Sequence, residues 1–303
     1  MLRTFKVVVA LTLVMAIFAV FPSSRSMAGT DGNADAAQKA AQQATLKSAS
    51  APSPNIPFGN YDRSAEQLLL ELANQARTQA NIPPLVLDSG LTHAARTHAE
   101  AMLAARQLSH QFDGEPSLSQ RLAAATRIQL DQEGENVALD FDAANGHQHL
   151  MQSPPHRANL LNPAYNVVGL GVVRSGNDLY IVQDFAHALP NYSAAEVKDK
   201  IAATVEQARH QANLPDLGRH DLATADDAAC SMAKADHLAT SPVHQLAQRY
   251  TVLSYTSLHP ETLPDQARAV MAGRNLRSFS VGTCYARTET YPTGAYWVVL
   301  SLE

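Results

Sequence analysis

Leu108-Ser109-His110, Gly134-Glu135-Asn136-Val137-Ala138, Ser153-Pro154-Pro155-His156-Arg157-Ala158-Asn159 and Gln183-Asp184-Phe185 follow one another in this order along the chain. They set two imidazoles and a carboxylate among turn formers and short apolar runs. A neutral imidazole ligates Zn²⁺ and similar ions and carries protons near neutral pH. A carboxylate beside two imidazoles can serve as a third ligand, as an orienter of a ligand or as a general base. The spacing is neither that of a zinc finger nor His-Glu-x-x-His, so only a fold can bring His110, Glu135 and His156 together. From spacing alone, solvent-exposed loop histidines are the competing reading. Glu135 is expected in an acidic loop, Asp131-Gln132-Glu133-Gly134-Glu135, and His156 just past a double proline.

Working outward, apolar residues at helical spacing predict a helix over about Arg63 to Gln79, stopped by Pro83-Pro84. A second helix follows a cap at Ser89, with Leu91, Ala95, His98 and Met102 as its stripe. His98 there reads as a satisfied core histidine. Shorter helices are expected at Ser117–Ala125 and Asp142–Met151, the latter stopped by Pro154-Pro155. Two strand-like runs, 167–173 and 179–182, flank the hairpin chemistry of Ser175-Gly176-Asn177-Asp178. Helices first and a hairpin last imply an α+β layer fold.

The pattern then repeats. Gln75-Ala76-Arg77-Thr78-Gln79-Ala80-Asn81-Ile82-Pro83 returns as Gln207-Ala208-Arg209-His210-Gln211-Ala212-Asn213-Leu214-Pro215, and Leu85 as Leu217. An alanine-rich helix follows, and the chain again ends in strand-like runs. This reads as two tandem copies of one fold, 59–189 and 190–303. The second lacks the Gly-Glu-Asn and Ser-Pro-x-His-Arg words.

Residues 1–28 read as a secretory signal peptide: Arg3 and Lys6 precede an apolar run, Val7 to Phe21, too short to span a bilayer comfortably, and Ser26-Met27-Ala28 offers a cleavage site. Residues 29–58 are Ala, Gln, Ser, Asn and Pro, a composition that reads as a flexible tether. No second apolar span follows, so a secreted or periplasmic chain is expected. The formal net charge of −5 becomes more negative once Arg3, Lys6 and Arg25 are removed, and no basic block exists, which argues against nucleic acid as a partner. Cys230 and Cys284 are the two cysteines. In an oxidising compartment they are expected to form a disulfide, worth on the order of 3–4 kcal/mol for a loop of that length. Two buried thiols are the alternative.

Several words carry a family resemblance: Leu72, Asn74, Gln75 and Arg77 on the first helix; His98-Ala99 with Met102; Leu108-Ser109-His110; Gly134 to Ala138; Ser153 to Pro163; Val168-Gly169-Leu170-Gly171-Val172; and Gln183-Asp184-Phe185. Each is weak alone, but their order and spacing are specific. From about Ala65 to Phe185 the chain resembles a CAP domain, the fold of cysteine-rich secretory proteins, antigen 5 and pathogenesis-related 1 proteins. It is most similar to the bacterial SCP-like extracellular branch. The resemblance implies a three-layer α-β-α sandwich, followed here by a degenerate CAP-like copy.

It also implies a cleft that commonly holds two His and two Glu. His110, Glu135 and His156 match three of these. The second Glu would fall between Gly146 and Met151, where this chain has His147, Gln148 and His149. Either His147 or His149 substitutes, or the cleft has three members. A divalent cation, Zn²⁺ by preference, is the cofactor so implied, with His110 and His156 as ligands and Glu135, His147 or His149 as further ones. Asn136, Ser153, Gln183 and Asp184 are the further cleft lining implied. The structural alternatives are turn or cap bonds for Asn136 and Ser153, and an Asp184–Arg157 ion pair.

Three functions compete. A binding module would hold a cation, peptide, lipid or cell-wall fragment in the cleft. A metal-assisted hydrolase would use Glu135 as base. An envelope scaffold would need no cleft chemistry. The resemblance favours recognition, and Ser109 and Ser153 beside histidines in sequence give little support to a Ser/His mechanism.

Overall fold

The computed structural model describes residues 7–9, as backbone, and 61–303. The segments expected as a tether and, apart from Val7–Val9, as a signal peptide lie outside the described residues. The first three helices and strands arise as local chemistry dictates. Helix α1 (Arg63–Gln79) starts where the Asp62 carboxylate accepts the Ala65 N–H at 3.0 Å, and it buries Ala65, Leu69, Ala73 and Arg77. After the two-residue strand β2 (Val86–Leu87; Val7–Val9 is β1), helix α2 (Ser89–Ala105) is capped by Asp88 rather than Ser89. The aspartate is one residue ahead, in the extended conformation an N-cap needs. Helix α3 (Leu118–Ala125) opens on a reciprocal Ser117–Gln120 capping box.

Two expectations change at the next elements. The acidic segment around Glu135 is no loop but the first half of strand β3 (Leu130–Asp140). Its polar sequence is a poor strand former alone, and cross-strand pairing overrides that weak preference. The double proline ends α4 (Ala143–Gln152) as expected, but it also opens α5 (Pro154–Leu160), because a helix's first turn needs no proline N–H. A hairpin of β4 (Val167–Ser175) and β5 (Asp178–Ala188) completes the half, with Gly176 at φ +61°.

The sheet order is β2-β4-β5-β3, with β2 parallel to β4 and the other pairs antiparallel. Helices α1, α4 and α5 bury Leu69, Leu150 and Leu160 against Leu170, Ile181 and Phe185 on one face. Helices α2 and α3 cover the other face, over Val137, Val173, Val182 and Ala186. This is the expected α-β-α sandwich, and strand β3 is its edge. Helix α2 lies directly on β4: a Cβ at Gly171 would stand 2.3 Å from the Ala95 backbone.

The second half runs α6 (Ala194–Gln211), β6 (Gly218–Arg219), α7 (Ala223–Ala235), α8 (His244–Ala247), β7 (Thr251–Ser257), α9 (Asp265–Met271), β8 (Ser278–Ala286) and β9 (Ala295–Leu302). Its strands are ordered β6-β8-β9-β7 with the same senses as in the first half, and β1 adds in parallel beside β7. Details repeat at matching places. Arg77 is fully buried and donates to the carbonyls of Pro83, Leu160, Asn162 and Tyr165 at 2.8–3.1 Å. Arg209 does the same to Pro215, Met271 and Gly273 at 2.6–3.0 Å. Asn81 and Asn213 both take left-handed backbone after the helix, at φ 58° and 54°. Gly282 meets Ala225 as Gly171 meets Ala95.

One pair is reversed in charge. Glu66 on α1 holds Arg96 on α2 at 2.6 Å and accepts the Val172 N–H. At the matching places Lys198 on α6 holds Asp226 on α7 at 2.7 Å, and Asp226 accepts the Thr283 N–H. The helix-to-helix pair and the buried strand N–H are served either way. Cys230 on α7 and Cys284 on β8 form the expected disulfide, with Cα atoms 5.0 Å apart.

Candidate functional site

The site is built on edge strand β3. Its alternation sends Glu135 toward α2 and α3 and Asn136 toward α5. Glu135 is 4% exposed at its side chain, and both oxygens are engaged. Oε1 accepts from His110 Nδ1 at 2.9 Å, and Oε2 takes Arg121 Nη2 from α3. Arg121 also donates Nη1 to the His110 carbonyl at 3.1 Å. The loop that carries His110 is thus tied to α3 through one guanidinium. Behind it, His98 is fully buried and bonded to Glu115 at 2.7 Å and to the Ser109 carbonyl at 2.9 Å. His98 is the satisfied core histidine that the sequence suggested, and it fixes the turn before His110.

His110 itself is 59% exposed. Its Nδ1 faces Glu135, which leaves Nε2 toward solvent. His156, half-buried on α5, comes from the other side of β3. Its ring makes no hydrogen bond among the described residues, and burial, with the nearby His110 imidazole second, holds it below the usual histidine range. His110, Glu135 and His156 are therefore brought to one place, around the edge of one strand.

Asn136, Gln183 and Asp184 are fully buried and so are not on the protein surface. Asn136 donates to Gln183 Oε1 at 3.2 Å and to the His156 carbonyl at 3.1 Å, and Asn159 donates to Asn136 Oδ1 at 2.9 Å. This amide chain pins α5 to β3. Asp184 pairs with Glu135 across the strands, and no ion pair joins it to exposed Arg157. Neither of its oxygens accepts a hydrogen bond from a protein donor. Burial, and then the Glu135 charge, push its carboxyl well above the usual carboxylate range. Asp184 thus holds its proton to higher pH than an ordinary carboxyl, facing Glu135. Ser153 sits between α4 and α5 and makes no side-chain cap bond.

The histidines of α4 do not complete a ligand set. His149 is bonded to Asp140 at 2.6 Å. His147 has a buried Nδ1 without a partner, and burial holds it below the usual histidine range. Among the described residues no group of three or more His, Cys, Asp and Glu is arranged to hold a metal ion. The donors on offer are the two imidazoles, because Arg121 and His110 already occupy the carboxylate. Two imidazoles fit a zinc ion only with the remaining positions filled from outside the protein.

Sequence reasoning overlooked Arg121. Its signal was present: a lone cation immediately before the apolar Leu122-Ala123-Ala124-Ala125 run of α3. The second half has nothing comparable. Counting along β7 and β9 from the glycine that touches the helix, Glu135 opposite Asp184 becomes Val252 opposite Ser301. Asn136 opposite Gln183 becomes Leu253 opposite Leu300.

Residues 70–185 match the cysteine-rich secretory protein family, CAP. An uncharacterized protein of Bacillus subtilis, YkwD, is 28% identical over 153 residues, which is 50% of this chain and 56% of that protein. The chain thus spans about half the length of this curated relative. An extracellular protein of Bacillus anthracis containing an SCP domain is 28% identical, with 41% of each chain covered and a TM-score of 0.37. An outer surface protein of Borrelia burgdorferi is 18% identical, covering 42% of this chain and 95% of that one, with a TM-score of 0.40. No helix among the described residues is long and apolar enough to cross a membrane. Through its first half, with these motifs on an α-β-α sandwich, the chain belongs to the CAP superfamily.

Proposed function

We propose that the protein is exported and that its first half recognises a polar envelope fragment, a peptide or cell-wall piece, in the cleft over β3. The observation that carries this is the state of His110: half its ring faces solvent, while its other nitrogen is fixed by a buried, charge-balanced carboxylate. Such a ring is a preset hydrogen-bonding group, and His156 supplies a second. Arg121, which also stands 3.5 Å from Glu115, and His110 hold both oxygens of Glu135, so that carboxylate is not free to take a lone cation. That favours a neutral or anionic ligand over a metal as the primary occupant. A lipid remains a ligand class of the same reading.

Hydrolysis is the second reading. Glu135 is poorly placed as a base, since both oxygens are held and its side chain is buried. In that reading His110 would carry the proton and Glu135 would orient it. The second half, with the same strand order and no charged residue at the matching places, is read as a degenerate copy. As a scaffold it would bind envelope partners without the cleft.

Calorimetry of the mature protein with soluble peptidoglycan fragments and, separately, with Zn²⁺ tests the reading. His110→Ala/His156→Ala should weaken fragment binding at least tenfold, the loss of about 1.4 kcal/mol. Identical isotherms for wild type and variant would overturn it, and release of new termini or reducing ends would favour hydrolysis. Mass spectrometry of the chain recovered from the producing cell should find an N-terminus near Gly29.

A further inference from the structure

The second half lacks every group of the cleft, yet it grips the element that arms it. Arg287, just past β8, donates Nη1 to the Thr126 carbonyl at 2.9 Å and Nη2 to the Ala123 carbonyl. These are the last carbonyls of α3, which a helix leaves without internal partners. A guanidinium at a helix C-terminus also complements the helix dipole. Arg287 is itself held by the Pro292 carbonyl at 2.8 Å, so the β8–β9 turn presents it. The same turn reaches the start of β3: Thr293 Oγ1 donates to the Leu130 carbonyl at 3.0 Å, and Gln129 Nε2 donates to the Gly294 carbonyl at 3.2 Å.

At its other end helix α3 is held by Ser119 to Glu133 and by Leu122 in the core, while Arg287 serves its C-terminus. It spans eight residues, of which Arg121 and Leu122 are buried. A helix that short is marginal without tertiary support. Its one contribution to the cleft is Arg121, which balances Glu135 and so fixes His110.

The geometry points to the second half as a brace for the cleft, with Arg287 as a positioning residue that acts through α3 and Arg121 on the Glu135–His110 pair. This role extends the proposed function and rests on His110 being the cleft's preset group. The consequence is local: the brace holds His110 in the Nδ1–H tautomer, leaving Nε2 as an outward acceptor. The hydrogen bond made by one ring nitrogen sets the state of the other. Without the brace Arg121 leaves Glu135, the carboxylate is free to reorient, and the ring reverts toward the Nε2–H form that free histidine prefers.

Ring ¹⁵N shifts of His110 in the full chain report this directly, above the pH at which histidine protonates. Wild type should show the Nδ1–H form as the major species. Arg287→Ala should make it the minor one, and Arg287→Lys should restore it in part. Because Arg287→Ala could disturb the β8–β9 turn, Gln129→Met/Thr293→Val removes the neighbouring contacts without touching that side chain. It should shift the tautomers the same way, with melting of the whole chain as the folding control. Unchanged His110 tautomers in both folded variants would overturn the brace and leave the ligand reading standing. If Glu135→Ala also left them unchanged, the preset-imidazole reading would fall with it.

Discussion

At the scale of single residues, Asp184 is the most unusual group in the molecule. A buried carboxyl beside a buried carboxylate holds its proton to higher pH than an ordinary one, because burial and the neighbouring charge both disfavour its ionised form. The folded state therefore binds a proton that the unfolded chain releases once pH passes the ordinary carboxylate range. Stability must fall as pH rises from about 4 upward, by that group's share, until the folded carboxyl itself ionises. Asp184→Asn keeps the shape and a donor toward Glu135 without a titrating proton. It should flatten that part of the pH profile and leave the protein at least as stable at pH 7, by urea unfolding at several pH values. A variant less stable at pH 7 with an unchanged slope would contradict the upward shift of the Asp184 carboxyl. The word Gln183-Asp184-Phe185 marked the residue, but nothing in it told that Asp184 faces Glu135 instead of Arg157. That depends on which strand lies beside β5.

At the scale of elements, close approach governs. Helix α2 rests on β4 with no side chain between them at Gly171, and α7 rests on β8 in the same way at Gly282. Gly171→Ala should destabilise the first half by about 3 kcal/mol, since backbone must move to admit the methyl group. Chemical denaturation monitored at both halves would detect it; a cost under about 0.5 kcal/mol would show that the helix can slide. The helices α1 to α4 were legible because capping residues and apolar spacing are local. Strand β3 was not, because Asp131, Glu133 and Glu135 lie on it for the sake of partners elsewhere: His187 at 2.6 Å for Asp131, Ser119 for Glu133, and Arg121 for Glu135. Likewise Pro154-Pro155 reads as a stop, and only the packing of Leu160 under Arg77 shows that a new helix begins there.

At the scale of the whole molecule, the two halves meet over the start of β3. Asp131 there is bonded both to His187 of the first half, at 2.6 Å, and to His259 of the second, at 3.0 Å. Asp131→Asn should loosen this junction, shown as faster amide exchange across Gln129–Leu130 and a separation of the two halves' unfolding transitions. A single unchanged transition with unchanged exchange would show that Arg287 and Thr293 suffice.

The sequence by itself determined the CAP motifs, the helices and the cysteine pair, since each is written in neighbouring residues or in spacing that survives without coordinates. Tertiary structure alone decided that Glu135 is bonded to both Arg121 and His110, that Asp184 is buried beside it, and that the second half reaches over to α3. Those facts depend on burial and on which charges face each other across strands. Neither quantity exists until the chain has folded.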